Sequence, residues 1–167
     1  DFTCGGTYDF TNFSDTTNGC AFTVGWVCSN NSYSTNAFGG SSCSGNVDWY
    51  IVSSAFDLSN AYSTVFNATL SESFSATDIE IVYSDAYTGD PYTTTWTTLS
   101  TETSGGTVAL SIPSTSSTVH VAVRYADDGA YSSWTVSNAQ VCITQLGIVS
   151  STPTVELSID NVNIEEG

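Results

Sequence analysis

The sequence has no lysine, no methionine, one arginine (Arg124), one histidine (His120) and three prolines in 167 residues. Seventeen acidic side chains face that single basic one, for a formal net charge of −16. Such a surface repels phosphate backbones, which excludes nucleic-acid binding. An anionic membrane surface is excluded on the same ground. With no ammonium groups to pair them, the carboxylates either form a solvated acidic surface or hold Ca²⁺, which would relieve part of the repulsion.

The scarcity of imidazole narrows the chemistry further. His120 lies inside Val119–Val123 (VHVAV), where alternation sets it alongside Ala122 and Arg124 and opposite the valines. A serine or cysteine nucleophile needs a base within hydrogen-bond reach, and here one histidine would have to serve. Neither G-x-S-x-G nor H-E-x-x-H occurs. Two carboxylates could hydrolyse a glycoside, but among 17 acidic residues such a pair carries no information. The expectation is a chain that is not an enzyme. It shows neither a signal peptide nor an apolar run long enough for a transmembrane helix, and it opens at Asp1 as though processed or excised.

No window carries apolar residues at helical spacing. Short β-branched and aromatic runs separated by Gly, Ser, Asn and Asp are frequent instead, the pattern of strands and turns. Strands are predicted at Phe22–Cys28, Asp48–Ser53, Ser63–Leu70, Ile79–Tyr83, Thr95–Leu99, Thr107–Ile112, Val119–Tyr125 and Trp134–Ile143. Their number and spacing predict an all-β fold, an antiparallel jelly-roll β-sandwich. Residues 1–146 form that unit. Residues 147–167 are a linker and a further alternating strand, which either joins the same sheet edge or opens a following domain.

Five cysteines, Cys4, Cys20, Cys28, Cys43 and Cys142, point to an oxidising compartment and up to two disulfides. None stands in a C-x-x-C pair, so zinc is not expected. A local bridge, Cys20–Cys28 or Cys28–Cys43, and a second, Cys4–Cys142, are the expected pairings, with one cysteine left free. Two loops combine aromatics with carboxylates. Ser84–Tyr92 carries Tyr87, Tyr92, Asp85 and Asp90, and Tyr125–Trp134 carries Tyr131, Trp134, Asp127 and Asp128. The aromatics are candidate stacking surfaces for a sugar ring; the four aspartates are candidate Ca²⁺ ligands. The alternative reading makes these turns that use Asp and Gly for their geometry and places Trp96 and Trp134 in the core. Three N-x-S/T sequons, at Asn12, Asn30 and Asn67, are expected by chance in so Ser-, Thr- and Asn-rich a chain.

The stretch Asp48–Phe66 (DWYIVSSAFDLSNAYSTVF) resembles the MAM-like jelly rolls, which include the bacterial choice-of-anchor J and cleaved-adhesin domains. Ala55–Leu58 fits that family's apolar-Asp-Leu element, and Ser53–Ser54 stands where Ser-Pro is usual. Gly25–Trp26, Ile79–Tyr83 with Trp96–Leu99, and Trp134–Val141 match further pieces, with Ser137–Asn138 in place of Asp-Asn. The resemblance covers about residues 10–143. Residues 153–167 (PTVELSIDNVNIEEG) resemble the first strand of a Calx-β or Ig-like repeat. These resemblances imply a secreted or cell-surface module of a larger protein that adheres to a protein or glycan, often with structural Ca²⁺. A carbohydrate-binding module of a polysaccharide-degrading enzyme is an alternative. Another is a filament subunit in which Thr154–Ile164 completes the sheet of a neighbouring copy.

Overall fold

In β-sheets successive side chains point to opposite faces, so an alternating segment buries one face while the other stays wet. The computed structural model describes residues 10–13, 24–36, 47–74, 77–127 and 133–145. Ten strands run through them: β1 (Phe10–Phe13), β2 (Val24–Ser29), β3 (Ser32–Asn36), β4 (Val47–Ser53), β5 (Ala61–Ser73), β6 (Ile79–Ser84), β7 (Thr97–Glu102), β8 (Gly106–Ser111), β9 (His120–Asp127) and β10 (Ser133–Gln145). They pair antiparallel in two five-stranded sheets, ordered β1-β4-β9-β6-β7 and β2-β3-β10-β5-β8. From β3 to β10 the chain crosses between sheets as a jelly roll does, with the earliest and latest strands adjacent in each sheet. β1 and β2 extend one edge of each sheet.

The inward faces meet in one apolar core. Trp26, Trp49, Ile51, Leu58, Phe66, Ile79, Ile81, Val121, Val123, Tyr125, Trp134 and Val136 are all buried there. Each such side chain contributes roughly 1.5–3 kcal/mol relative to exposure. The polar edges of the buried rings are satisfied by main chain: Trp134 Nε1 donates to Thr77 O at 2.8 Å and Trp26 Nε1 to Trp49 O at 3.4 Å.

Two strands escape the hydrophobic pattern, β1 and β3. β3 (SYSTN) turns only Tyr33 and Thr35 fully inward. What defines it is the hairpin before it, where Asn30 and Asn31 both take positive φ (51° and 58°). Asparagine tolerates that left-handed conformation, and two such residues match the twist of a tight hairpin. In β10, Asn138 (φ 51°) sits where the register with β5 slips between Ser137 and Gln140. Asn138 thus lies in a β-bulge. Residues 146–167, including the expected extra strand, lie outside the described residues.

Candidate ligand-binding face

The outward face of the first sheet is built by register. Tyr50 of β4 stands opposite Arg124 of β9, which in turn stands opposite Glu80 of β6; Val52 and Val82 flank Ala122. Tyr50, Val52, Val82 and Ala122 are buried although they point away from the main core. The cover comes from the β6–β7 connection, which folds back so that Tyr87 and Trp96 pack against them.

Short contacts hold this connection in shape. The Asp90 carbonyl accepts from Thr94 Oγ1 at 2.8 Å, and Asp90 Oδ1 accepts from the Tyr92 amide at 3.0 Å. Trp96 Nε1 donates to Pro91 O at 2.9 Å, and the Tyr92 hydroxyl reaches across to Asp48 O at 2.9 Å. A group of rings results. Trp96 stacks on Tyr50 (centroids 6.1 Å, planes 20° apart), Tyr92 meets Tyr50 edge-on at 5.5 Å, and Tyr87 lies 5.7 Å from Trp96 and 4.6 Å from His120. Tyr92 is 48% exposed, while Tyr87 and Trp96 are half-buried.

Beside the rings lies the chain's one strong cation. Arg124 grips Asp48 with two nitrogens (Nε–Oδ1 2.8 Å, Nη2–Oδ2 3.1 Å) and Glu80 with the third (Nη1–Oε2 2.7 Å). Its guanidinium also sits 5.7 Å from the Tyr50 ring centroid, within cation–π range. The hydrogen bonds to Asp48 hold Arg124 even more firmly protonated than usual, against the opposing effect of burial. Burial, and then the charge of Asp48, pushes the Tyr50 phenol up to about 12. The Tyr87 phenol is raised, by burial first and by Asp90 second. The face offers flat apolar rings edged by fixed donors and acceptors, which suits a ligand with both apolar and hydroxylated faces.

The sequence expectations divide here. Tyr87 and Tyr92 do come together on one face. Trp134 does not join them. At 1% exposure within the main core it has no free ring face, which corrects its assignment as a ligand-binding residue. The expectation of Trp96 in the core is also corrected, since it lies outside the sandwich on Tyr50. Tyr131 and Asp128 lie outside the described residues, and of Asp127 the structure describes the backbone, which ends β9 opposite Val47. Asp85 accepts from Ser114 Oγ at 2.6 Å and Asp90 shapes its own turn. Among the described residues no three His, Cys, Asp or Glu side chains gather closely enough to hold a metal ion.

Of the cysteines, Cys142 is an exposed free thiol near the Asn67 amide, which rules out the Cys4–Cys142 bridge. Cys28 is disulfide-bonded, while Cys4, Cys20 and Cys43 lie outside the described residues. His120 places Nδ1 2.8 Å from Ser53 O. Sequence reasoning missed Tyr50, Asp48, Glu80 and Arg124 as members of one face. The signal was present in DWYIV, where an inward Trp49 forces Tyr50 and Asp48 outward.

No known protein-family profile and no curated protein matches the chain. Solved structures do. The K1 cleaved adhesin domain of Lys-gingipain from Porphyromonas gingivalis W83 superposes with a TM-score of 0.59 at 17% identity, covering 83% of this chain and 91% of that domain. The carbohydrate-binding module TmCBM61, solved in complex with β-1,4-galactotriose, superposes with a TM-score of 0.50 at 9% identity, covering 81% and 88%. At these identities the likeness concerns architecture, and this chain shares the β-sandwich fold of the K1 cleaved adhesin domain.

Proposed function

We propose that this chain is a non-catalytic binding module of a secreted or cell-surface protein, and that a glycan lies across the outer face of the first sheet. The observation that carries this reading is the ring group of Tyr50, Tyr87, Tyr92 and Trp96 beside the fixed Asp48–Arg124–Glu80 bridge. Tyr87, Tyr92 and Trp96 supply stacking area over the buried Tyr50 ring, and the bridge supplies oriented polar atoms for hydroxyl groups. The structural neighbours, an adhesin domain and a carbohydrate-binding module, agree with it. A glycan array probed with the purified chain tests it. A specific hit lost on Trp96→Ala and on Tyr92→Ala, under conditions where both variants remain folded, is the expected result; an empty array refutes the glycan.

A second reading, adhesion to a protein, is favoured by the better superposition on an adhesin domain. It gains if the array is empty while the chain still binds extracellular-matrix proteins. Structural Ca²⁺ belongs to either reading through the acidic charge, with Asp127 and Asp128 as its candidate ligands and Asp85 and Asp90 already engaged in hydrogen bonds. A rise in Tm on adding Ca²⁺ to EDTA-treated protein is its expected sign, and an unchanged Tm refutes it.

A further inference from the structure

At one end of the sandwich, where β5 begins and β8 runs out toward β9, residues 61–64 and 111–115 enclose an open cleft of about 320 Å³. Among the described residues no charged side chain lines it, although the chain carries −16. Tyr62 stands at the cleft 73% exposed, a large ring left uncovered. Ile112 and Pro113 supply apolar wall, and Ser111 and Thr115 supply hydroxyls.

Thr64 is the unusual member. It is 5% exposed, yet its Oγ1 has no hydrogen-bond partner. A buried hydroxyl left unpaired has lost its hydrogen bonds to water and gained none in return. Among the described residues one other such atom occurs, Ser54 Oγ, and Ser54 is not part of the cleft lining. The wall is also held in advance. Ser114 Oγ donates to Asp85 Oδ1 at 2.6 Å and accepts from the Ser116 amide at 3.1 Å. The Leu58 amide bonds Ser116 O at 2.9 Å, and the Ile112 amide bonds Thr64 O at 3.0 Å.

We infer that this cleft is a second binding subsite, separate from the outer face, for a neutral, hydroxyl-rich ligand about one or two sugar rings in size. Its volume falls at the small end of the roughly 300–1,000 Å³ typical of ligand pockets. A sugar ring has an apolar face for Tyr62 and hydroxyls that both donate and accept, as the serine and threonine hydroxyls do. A lining without charge provides no counter-ion for an anionic or cationic ligand. A turn about χ1 moves the Thr64 hydroxyl from one staggered position to another. A ligand hydroxyl can therefore draw Oγ1 to the cleft floor without breaking any existing bond.

The test is an amide-resolved NMR titration of the full chain with the methyl glycosides of glucose, galactose and mannose at millimolar concentration. Resonances of residues 61–64 and 111–115 report the cleft, and the Trp96 indole reports the outer face in the same spectra, so the two sites succeed or fail separately. For at least one glycoside, shifts are expected in the cleft set. Thr64→Val is expected to weaken that binding about tenfold while leaving Tm equal or higher, because it removes an unpaired buried hydroxyl. Tyr62→Ala, at an exposed position that folding does not depend on, is expected to abolish it. Wild-type affinity in both variants overturns the proposal. So do shifts confined to Trp96 and its neighbours, or no shift with any of the three glycosides, which leaves the cleft filled by water alone.

Discussion

Trp96 lies nearly parallel to Tyr50, ring planes 20° apart and centroids 6.1 Å apart, on the side of the sheet that faces away from the main core. The β6–β7 connection is thus part of the fold as well as the cover of a candidate binding face. Trp96→Ala is expected to destabilise the chain by about 2 kcal/mol, below the roughly 3–5 kcal/mol of a fully buried ring, and to remove glycan binding. Urea unfolding measures the first effect and the array the second. Trp96→Phe should restore most of the stability.

Arg124 is the second support of that face. Arg124→Lys keeps the charge but loses the two-pronged grip on Asp48, since an ammonium cannot present a planar fork. With both ion pairs about one-third exposed, the expected loss is about 1 kcal/mol, at the upper end of exposed pairs. The loss should shrink in high salt, where screening weakens what remains in either protein. An equal loss at low and high salt would show that Arg124 acts through packing alone.

Tyr50 gives the face a pH signature. Its phenol ionises near 10 in the unfolded chain and is pushed up to about 12 when folded. The stability this contributes is complete below pH 10 and is lost as pH rises toward 12, because ionisation first favours the unfolded chain. Chemical denaturation between pH 9 and pH 12 is expected to show the decline, and Tyr50→Phe should flatten it.

Much of the fold was legible because it rests on alternation. Ile79–Ser84, His120–Asp127 and Val47–Ser53 form strands whose inward residues are those the pattern selects. β3 escaped because its identity lies in two left-handed asparagines rather than in apolar residues. The candidate site was half legible. Tyr87 and Tyr92 share one loop, but Tyr50, Arg124 and Glu80 meet only through the pairing of β4, β9 and β6, with Glu80 and Arg124 separated by 44 positions. Trp96 and Trp134 occupy similar sequence settings. The loop carries one of them over an outer face, and the sandwich closes over the other.

That difference is itself testable. Trp134→Ala empties a site 1% exposed and leaves Thr77 O without its donor, so a loss of about 3–5 kcal/mol is expected. At temperatures where this variant remains folded, its glycan affinity should match that of the unaltered chain. A selective loss of affinity at full stability would return Trp134 to the binding face.

The place of β10 has a consequence for how the chain reaches its native state. β10 lies in the interior of the second sheet, hydrogen-bonded to β3 on one side and β5 on the other. It is also the last of the described strands to leave a ribosome or an export pore. Until Ser133–Gln145 emerges, β3 and β5 each present an open edge able to pair with another chain. Folding must therefore wait for nearly the whole domain and proceed through distant pairings, which is slow. A sequence dense in acidic residues and devoid of lysine keeps such waiting chains apart by mutual repulsion.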